Sequence, residues 1–433
     1  MTSRSIVGGS RSSEVQELPD DWSLTTIDEI ARVCGGKRLS FGNILQVEPT
    51  KHPYVRVTDM HGNSVSLENI LYVPDKAHAS IRNYRIFRED LFISVAGTLG
   101  IVGRIPPPLD GANLTENADR LTAIKCDVDY LMYWLNSEGI QSLISSIRTV
   151  GAQPKLALGR IKQFLVPLPP TREEQERIAE ALRDADVLID SLRWLIAKKQ
   201  AIKQGMMQEL LTGRTRVPGF TQPWKEVRLG DHVTYIKTVA LSRAQLDARS
   251  PIRYLHYGDI HTCASVTLDA ANAEMPRVCS VLAANAGRLQ VGDLVFADAS
   301  EDLAGVGKSV EVISVPEEGL VPGLHTIAAR FEPSILANRF KAYLQFHPQL
   351  RGSLSRLVAG TKVLATTRTF ISGITLLLPS VPEQQAIARV LLDTDDELVT
   401  LSNRLQKAKL VKQGMMQELL TGRTRLVPQG VPA

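Results

Sequence analysis

The sequence predicts an α+β protein in which two α/β domains, related by a pseudo-twofold axis, are separated by two long antiparallel coiled-coil helices. Three observations lead to this class. The segment KQGMMQELLTGRTR occurs twice, at residues 203–216 and 412–425, with identity at all 14 positions. Each copy ends a stretch of about 40 residues with almost no proline or glycine, and each stretch follows a region of alternating apolar and polar residues. A duplication of this length indicates two copies of one unit.

The composition is that of a globular protein and excludes several other classes. The 433 residues suffice for two or three domains, with 44% apolar and 22% charged residues. No run approaches the roughly 18 apolar residues of a membrane span, and residues 1–16 lack the apolar core of a signal peptide. Because Cys34, Cys126, Cys263 and Cys279 have no metal-like spacing, we expect a reduced, cytoplasmic protein without disulfides or structural zinc.

The repeat divides the chain into a linear series of segments. We predict an N-terminal tail at 1–16, a first domain at 17–170, a first helix at 171–216, a second domain at 217–379, a second helix at 380–425 and a C-terminal tail at 426–433. The two domains open at Trp22 and Trp224, which match when the copies are aligned. The domains have therefore kept one plan while most of their residues changed.

Within the domains, matched segments predict short strands and helices. RVTDM at 56–60 corresponds to HYGDI at 256–260, and EDLFISVAG at 89–97 corresponds to GDLVFADAS at 292–300. Their alternating pattern between Gly, Pro and Asp residues is typical of strands. Residues 131–147 instead place apolar side chains at three- to four-residue intervals, which indicates a helix.

The two long stretches have the start, stop and periodicity signals of helices. Thr171 and Glu174 resemble a capping box, and Gly213 and Gly422 are suited to C-terminal caps. An apolar stripe at coiled-coil spacing runs along each stretch. Its residues are Ile178, Leu182, Ala185, Ile189, Leu192, Ile196, Met206 and Leu210 in the first, and Ile387, Leu391, Thr394, Leu398, Leu401, Leu405, Ala408, Met415 and Leu419 in the second. We expect the two rods to pack against each other.

Both domains end in a basic segment without acids. Residues 139–170 and 348–379 each contain four Lys or Arg residues and no Asp or Glu. One such segment is typical of a solvated face, but its recurrence at the same place in both copies favours a surface that faces phosphates.

The sequence lacks the motifs of the common enzymes. No Asp/Glu-x-Lys nuclease motif and no Asn/Asp-Pro-Pro-Tyr/Phe methyltransferase motif occurs. GVGKS at 305–309 resembles the end of a phosphate-binding loop, but Asp302 stands where the first glycine should be. The scattered histidines do not suggest a metal site. We therefore expect a non-catalytic recognition protein or a scaffold.

Taken together, these residues resemble the specificity subunit of a type I restriction–modification enzyme. The resemblance is carried by the openings at Trp22 and Trp224, by the Leu-Pro and Glu-Gln pairs within 168–175 and 377–384, and by the two QGMMQELLTGRTR helix ends. It covers the chain from about residue 17 to residue 426.

The resemblance implies a function for each part. Each domain is then a target-recognition domain that reads one half of a bipartite, asymmetric site in double-stranded DNA. The helices set the spacing and dock two methylase subunits, and restriction subunits join the full complex. The chain itself needs no cofactor, since S-adenosylmethionine, ATP and Mg²⁺ belong to the partner subunits. Two alternatives remain open: the specificity subunit of a type II (IIB/IIG-like) system, and a coiled-coil scaffold that binds no DNA.

Two sets of residues are candidates for these roles. Polar residues beside the acid-free segments or at matched strand ends are expected to contact DNA: Arg56, Arg148, Thr149, Gln153, Lys155, Tyr257, Arg356, Thr361, Lys362, Thr367 and Arg368. Residues of the identical segments are expected to dock the methylases: Gln204, Met206, Met207, Leu210, Leu211, Gln413, Met415, Met416, Leu419 and Leu420. Some of the second set, Met206 and Leu210 above all, are alternatively part of the helix seam.

Overall fold

Two helices of 39 residues each, Arg172–Leu210 and Val381–Leu419, dominate the secondary structure of the computed structural model. We call them the first and the second long helix. The structure describes residues 5–6, 16–146, 154–300, 305–358 and 364–426. The predicted starts at 171 and 380 lie one residue before the observed ones, because local capping signals fix them. The predicted ends at 216 and 425 lie six residues beyond the last helical residues.

The chain divides into two units that both include parts of the long helices. Unit 1 consists of Met1–Arg193 and Arg404–Ala433, and unit 2 consists of Trp194–Asn403. Each unit thus contains one mixed domain, the beginning of one long helix and the end of the other. The predicted linear segments cut the chain differently, and their boundaries remain predictions.

Unit 1 is built on two four-stranded sheets. The order in the first sheet is Val102–Arg104, Leu91–Ser94, Ala118–Thr122 and Arg32–Gly35. The order in the second sheet is Leu71–Tyr72, Pro53–Val55, Ala112–Leu114 and Arg85–Ile86. Three short strand pairs complete the unit: Ser23–Thr26 with Leu165–Leu168, Met60–His61 with Ser64–Val65, and Ser5–Ile6 with Gln16–Glu17. Its shorter helices are Ile27–Ile30, Val57–Asp59, Asp75–His78, Pro107–Leu109, Val128–Leu135, Glu138–Ser146 and Leu158–Lys162.

Unit 2 repeats this plan with a larger first sheet. The order in its five-stranded sheet is Val233–Ile236, Thr326–Phe331, Leu294–Ala297, Ser309–Ser314 and Thr267–Asp269. The order in its three-stranded sheet is Arg277–Val278, Ile252–Leu255 and Leu320–Pro322. Lys225–Arg228 pairs with Thr375–Leu378, and Ala299–Ser300 pairs with Leu364–Ala365. Its shorter helices are Leu229–His232, Arg243–Gln245, Tyr257–Thr262, Lys341–Phe346, Pro348–Val358 and Arg368–Gly373.

The long helices run antiparallel where they meet inside each unit. In unit 1, Asp186 of the first helix pairs with Lys412 of the second at 2.6 Å. In unit 2, Lys203 of the first helix pairs with Asp395 of the second. Residue numbers rise along one helix as they fall along the other, and the predicted apolar stripe is the buried face, with Leu182 and Leu391 fully buried. The predicted α+β class with two long antiparallel helices is confirmed.

Two predicted elements are wrong in detail. RVTDM and HYGDI are not strands: each begins at a strand end and continues as the short helix Val57–Asp59 or Tyr257–Thr262. In both, an aspartate side chain accepts the backbone N–H three residues earlier, which bends the chain into a helical turn. The helix predicted over 131–147 is two helices, Val128–Leu135 and Glu138–Ser146, and residue 147 lies outside the described residues.

The capping of the first long helix also differs from the predicted capping box. The Thr171 hydroxyl accepts the backbone N–H of Glu174 at 3.2 Å, as expected. The Glu174 carboxylate does not return to Thr171 and instead pairs with Arg425, at 2.8 Å between Oε2 and Nη2. The sequence signal was therefore half right, because a distant arginine competes for the carboxylate.

Candidate nucleic-acid interface

In unit 1, the ends of several strands meet at one edge. The strands Pro53–Val55 and Ala112–Leu114 are parallel, so Arg56 and Thr115 follow them on the same side. The backbone N–H of Thr115 donates to the Val55 carbonyl at 3.1 Å. Next to this turn, Ala96 forms an isolated bridge with Lys155 and donates its N–H to the Asn117 carbonyl at 3.2 Å. The fold thus brings Arg56 and Lys155, predicted separately, to one edge.

Arg56 is only partly available to a ligand at this edge. Its Nη2 and Nε donate to the buried Asp59 carboxylate at 2.6 and 3.0 Å, and Nη2 also donates to the Asn69 carbonyl at 2.7 Å. These hydrogen bonds to Asp59 raise the pKa of Arg56 above its usual value. Among the described residues, the hydrogen bonds of Arg56 use Nε, Nη2 and the backbone N–H and not Nη1, so a phosphate contact through Nη1 is compatible with this geometry.

Lys155 lies exposed beside a buried acid. Asp119, in the central strand Ala118–Thr122, is 5% exposed. Burial raises the pKa of Asp119 to about 6, and the positive charge of Lys155 opposes this rise. At neutral pH the ionised carboxylate therefore offsets part of the local positive charge.

In unit 2, the corresponding edge carries an aromatic and imidazole cluster. The strands Ile252–Leu255 and Leu320–Pro322 are again parallel, and His256 and Tyr257 follow the first. The Tyr257 ring lies 4.4 Å from His256, 6.0 Å from His261 and 5.4 Å from His325, measured between ring centroids.

The imidazoles of this cluster have defined partners. His325 Nδ1 lies 3.1 Å from an Asp298 carboxylate oxygen, and His261 Nε2 lies 2.9 Å from the Ala299 carbonyl. Burial lowers the pKa of His256, which favours its neutral form. The sequence suggested only scattered histidines; the usable signal was that His256 and Tyr257 correspond to Arg56 and its neighbour.

Two further predicted residues reach the edge of unit 2. Thr367 and Arg368 follow the strand Leu364–Ala365, which pairs with Ala299–Ser300. The Thr367 hydroxyl accepts the Phe370 N–H at 3.1 Å and so caps the helix Arg368–Gly373. Arg368 is exposed, with its guanidinium 5.7 Å from the centroid of the Tyr235 ring.

The other DNA candidates are not placed by the structure. Arg148, Thr149, Gln153, Thr361 and Lys362 lie outside the described residues. Arg356 lies in the helix Pro348–Val358, and its side chain is outside the described set. The roles of all these residues stay predictions.

The identical segments, residues 203–216 and 412–425, are here called the first and the second closing segment, because each completes the core of a unit. The first closes unit 2: Lys203 pairs with Asp395, and Arg216 pairs with the buried Glu383 at 2.5 and 2.7 Å. The Asp395 carboxylate also accepts the Tyr343 hydroxyl at 2.7 Å, and burial raises the pKa of Tyr343 far above its usual value.

The second closing segment repeats these contacts in unit 1. Lys412 pairs with Asp186 at 2.6 Å, and Asp186 accepts the Tyr133 hydroxyl at 3.0 Å. Arg425 pairs with the buried Glu174, as Arg216 does with Glu383. The guanidinium groups lie over Trp22 and Trp224, with Arg425 5.9 Å and Arg216 5.7 Å from the ring centroids. The first segment therefore completes the domain that directly follows it in sequence, whereas the second completes the domain at the opposite end of the chain.

This packing corrects part of the docking prediction. Leu210, Leu211, Leu419 and Leu420 are buried in the cores, with exposures of 7%, 0%, 4% and 0%. They form no exposed surface that a partner could reach. Met206, Met207, Met415 and Met416 are half-buried against the same cores, whereas Gln204 and Gln413 are exposed. Gln208, Gln417, Arg214 and Arg423, which the prediction did not include, are also exposed.

Other kinds of site find little support among the described residues. Lys308 of the phosphate-loop-like segment donates through Nζ to the carbonyls of His261 and Cys263 at 2.7 and 3.0 Å, so it supports local structure. Across the described ranges, no three or more His, Cys, Asp and Glu side chains are grouped as metal ligands. None of the helices in the described part of the chain has the length and apolar character needed to cross a membrane.

Comparison with known proteins identifies the fold and the family that the chain resembles. Residues 19–202 match the family described as Type I restriction modification DNA specificity domain. The chain is 24% identical, over 96% of both sequences, to the putative type I restriction enzyme MjaX specificity subunit of Methanocaldococcus jannaschii. It is also 24% identical, over 48% of this chain and 49% of the relative, to the type I restriction enzyme MjaVIII specificity subunit of the same organism.

Two solved structures share the fold at low sequence identity. One belongs to a study of complex assembly and conformational transition of the type I R-M system, with a TM-score of 0.57, 17% identity, and coverage of 94% of this chain and 100% of that one. The other is the S subunit of a type I restriction–modification system from M. genitalium, with a TM-score of 0.56, 13% identity, and coverage of 95% and 97%. The resemblance predicted from the sequence is confirmed.

Proposed function

We infer that this chain belongs to the specificity subunits of type I restriction–modification enzymes, and we propose that it reads a bipartite site in double-stranded DNA. In this family the subunit is a recognition component, and the catalytic activity of the complex sits in other subunits. The proposal assigns one half of the site to each unit. Methylase and restriction subunits would bring the chemistry, together with S-adenosylmethionine, ATP and Mg²⁺.

The observation that carries the proposal is the pair of strand edges, one in each unit. The two edges are formed by matching parallel strands but carry different side chains. The edge of unit 1 offers Arg56 and Lys155, which suit phosphate oxygens and guanine. The edge of unit 2 offers Tyr257, Thr367 and Arg368 beside several imidazoles. A symmetric target would need like residues on both edges, so the difference favours two unlike half-sites.

We propose that the long helices set the distance between the half-sites. A helix of 39 residues is about 58 Å long at 1.5 Å per residue. One turn of B-DNA is about 34–36 Å, so helices of this length suit half-sites that are one to two turns apart.

We further propose that the outer faces of the closing segments dock two methylase subunits. Burial accounts for the identity of the inward residues, including Leu211 and Leu420. It does not account for the exposed pairs Gln204 and Gln413, Gln208 and Gln417, and Arg214 and Arg423. One partner species that binds both copies would keep these outer residues the same.

An exchange of one domain tests the modular part of this function. Residues 20–165 would be replaced by the corresponding domain of a relative with a different target, and the chain assembled with its methylase subunits. Sequencing of the DNA bound from a random pool should show one half of the motif changed and the other kept. The reciprocal exchange in unit 2 is the control and should change only the other half. A motif altered in both halves, or in neither, would contradict the assignment.

A further inference from the structure

A loop at the edge of unit 1, residues 36–52, is built to hold a fixed shape. At its first residue, Gly36, an added Cβ would lie 1.9 Å from the Thr115 carbonyl oxygen, so only glycine fits. The backbone N–H of Lys37 donates to the Leu114 carbonyl at 2.9 Å, and the Tyr54 hydroxyl donates to the Lys37 carbonyl at 3.0 Å. The loop is thereby attached to the strands that form the candidate interface.

The apolar side chains of this loop point in two directions. Leu39 and Leu45 pack against a small core that contains Tyr54. Phe41 and Ile44 point outward, with exposures of 106% and 83%. Asn43 Nδ2 donates to Ser40 Oγ at 3.1 Å and tightens the turn between these two outward residues. Since inward packing holds the loop, the exposed apolar tip is a fixed feature of the surface.

Charge around this tip favours an anionic partner. The loop contains Lys37, Arg38 and Lys51 against a single acid, Glu48. Arg38 pairs with Glu116 at 2.6 Å but keeps 78% of its side chain exposed. Between the loop and the strand edge lies an open cleft of about 600 Å³, lined by Arg38, Phe41, Ile44, Tyr54, Arg56 and Glu116.

The counterpart in unit 2 has no such tip. In residues 237–250, all within the described range, Val239, Leu241 and Leu246 pack against a core. The intervening turn carries the polar side chains Arg243 and Gln245, both exposed, and no large apolar side chain of this loop is exposed. The exposed apolar tip is therefore specific to unit 1 and is not part of the fold that the two units share.

We propose that this loop inserts Phe41, supported by Ile44, as an apolar wedge against the bases of the first half-site. This inference rests on the proposed function and names the partner of the loop as duplex DNA. Lys37 and Arg38 then contact the flanking phosphates. Apolar side chains that enter a groove unstack a base step and kink the duplex. Because pyrimidine–purine steps deform most easily, the first half-site includes a deformable step at this point, and the second does not require one.

The test uses the full chain assembled with its methylase subunits and DNA that carries the selected motif. Phe41→Ala should weaken binding roughly 10-fold, the loss expected for one aromatic side chain that stacks on a base. Phe41→Trp should retain affinity. The matched control is Val281→Ala, which alters a side chain that is 83% exposed in unit 2 and should leave affinity within about twofold. 2-Aminopurine placed at successive steps of the first half-site should brighten at one step with the original chain and stay quenched with Phe41→Ala.

The possible outcomes separate this inference from the proposed function. If the unaltered complex enriches no bipartite motif, the proposed function fails. If a motif is enriched but Phe41→Ala binds equally well and leaves 2-aminopurine fluorescence unchanged, the wedge is wrong. A variant that binds methylase subunits poorly while its own DNA affinity is unchanged would identify the loop as a protein contact and overturn the wedge as well. An unchanged melting temperature of Phe41→Ala confirms that folding is unaffected.

Discussion

In unit 1 the Tyr133 hydroxyl donates to Asp186, which pairs with Lys412; in unit 2 Tyr343 donates to Asp395, which pairs with Lys203. The Lys and Tyr residues of each triad also contact each other, with Nζ 5.3 and 5.8 Å from the ring centroids. These two triads are the same arrangement made twice from residues that are far apart in sequence.

At the strand edges of the candidate interface, the two units instead carry different residues at matched positions. Arg56 and His256 take matched positions before Asp59 and Asp259. The buried strand position that holds Asp119 in unit 1 holds Ile327 in unit 2, as the matched pairings with Ile93 and Phe296 indicate. Sequence identity thus follows the contacts that close each unit, and divergence follows the surface proposed to face DNA.

The largest expected effect comes from replacing one buried leucine of either closing segment by alanine. Leu420 belongs to the core of unit 1 and Leu211 to that of unit 2, and both are fully buried. Replacing either by Ala should destabilise its unit by about 2–5 kcal/mol, through lost burial and the cavity left behind. Hydrogen exchange, followed peptide by peptide, measures the loss in each unit separately.

The location of the faster hydrogen exchange shows which unit each closing segment stabilises. Leu420→Ala should accelerate exchange in the helix Val128–Leu135, near the other end of the chain, and spare the strand Thr375–Leu378. Leu211→Ala should do the reverse and serves as the matched control. Exchange that rises only near the substituted leucine would refute the reciprocal closure.

A smaller effect is expected from Asp119, the buried acid of unit 1 whose matched position in unit 2 holds Ile327. Burial raises the pKa of Asp119 to about 6 in the folded chain, against about 3.9 in an unfolded one. Between these pH values the folded state binds more protons than the unfolded state, so this residue lowers stability as pH rises from about 4 to about 6. Above about pH 7 the loss is complete, on the order of 3 kcal/mol for a shift of about two pKa units at about 1.4 kcal/mol per unit.

Asp119→Asn should remove this loss without changing the size of the side chain. The variant should gain stability over the original chain at pH 7.5 and show little gain at pH 4.5. The measurement is the difference in the free energy of unfolding of unit 1 between the two proteins at each pH. An equal difference at both pH values would show that Asp119 does not titrate as its burial implies.

Local patterns predicted the elements that depend on local forces. The starts of the long helices and the matched strands Leu91–Ser94 and Leu294–Ala297 follow from proline, glycine and apolar spacing along the chain. The pattern failed at 56–60 and 256–260, where alternation suggested strands. There Asp59 and Asp259 accept backbone N–H groups, and these hydrogen bonds outweigh a weak strand preference.

The candidate sites depend on contacts that no local pattern contains. Nothing in the closing segment indicates that Arg216 meets Glu383 and lies over Trp224, or that its leucines point inward. From the sequence, most of the identical residues are therefore attributed to an outside partner, with Met206 and Leu210 as alternative seam residues, whereas packing explains all of the inward-facing ones. Likewise, the histidines around Tyr257 come from separate segments, and only the folded sheet brings them together.

The smallest expected effect concerns a helical glycine that is present at the same place in both closing segments, although the chain has room there for a side chain. Gly205 and Gly414 lie inside the long helices, and an added Cβ at either position would meet nothing within 4 Å in the chain. Glycine costs a helix interior roughly 0.5–1 kcal/mol relative to alanine, so each Gly→Ala change should stabilise the chain slightly. If the proposed docking holds, the methyl group also obstructs a methylase subunit that approaches the backbone closely. Mass photometry should then detect one bound methylase subunit with either single variant and none with the double variant.

Gly352→Ala, in the helix Pro348–Val358 and equally unobstructed, is the control: it should add stability without affecting assembly. Full assembly of the double variant would leave glycine at these positions unexplained by docking, and would place the methylase contact elsewhere on the units.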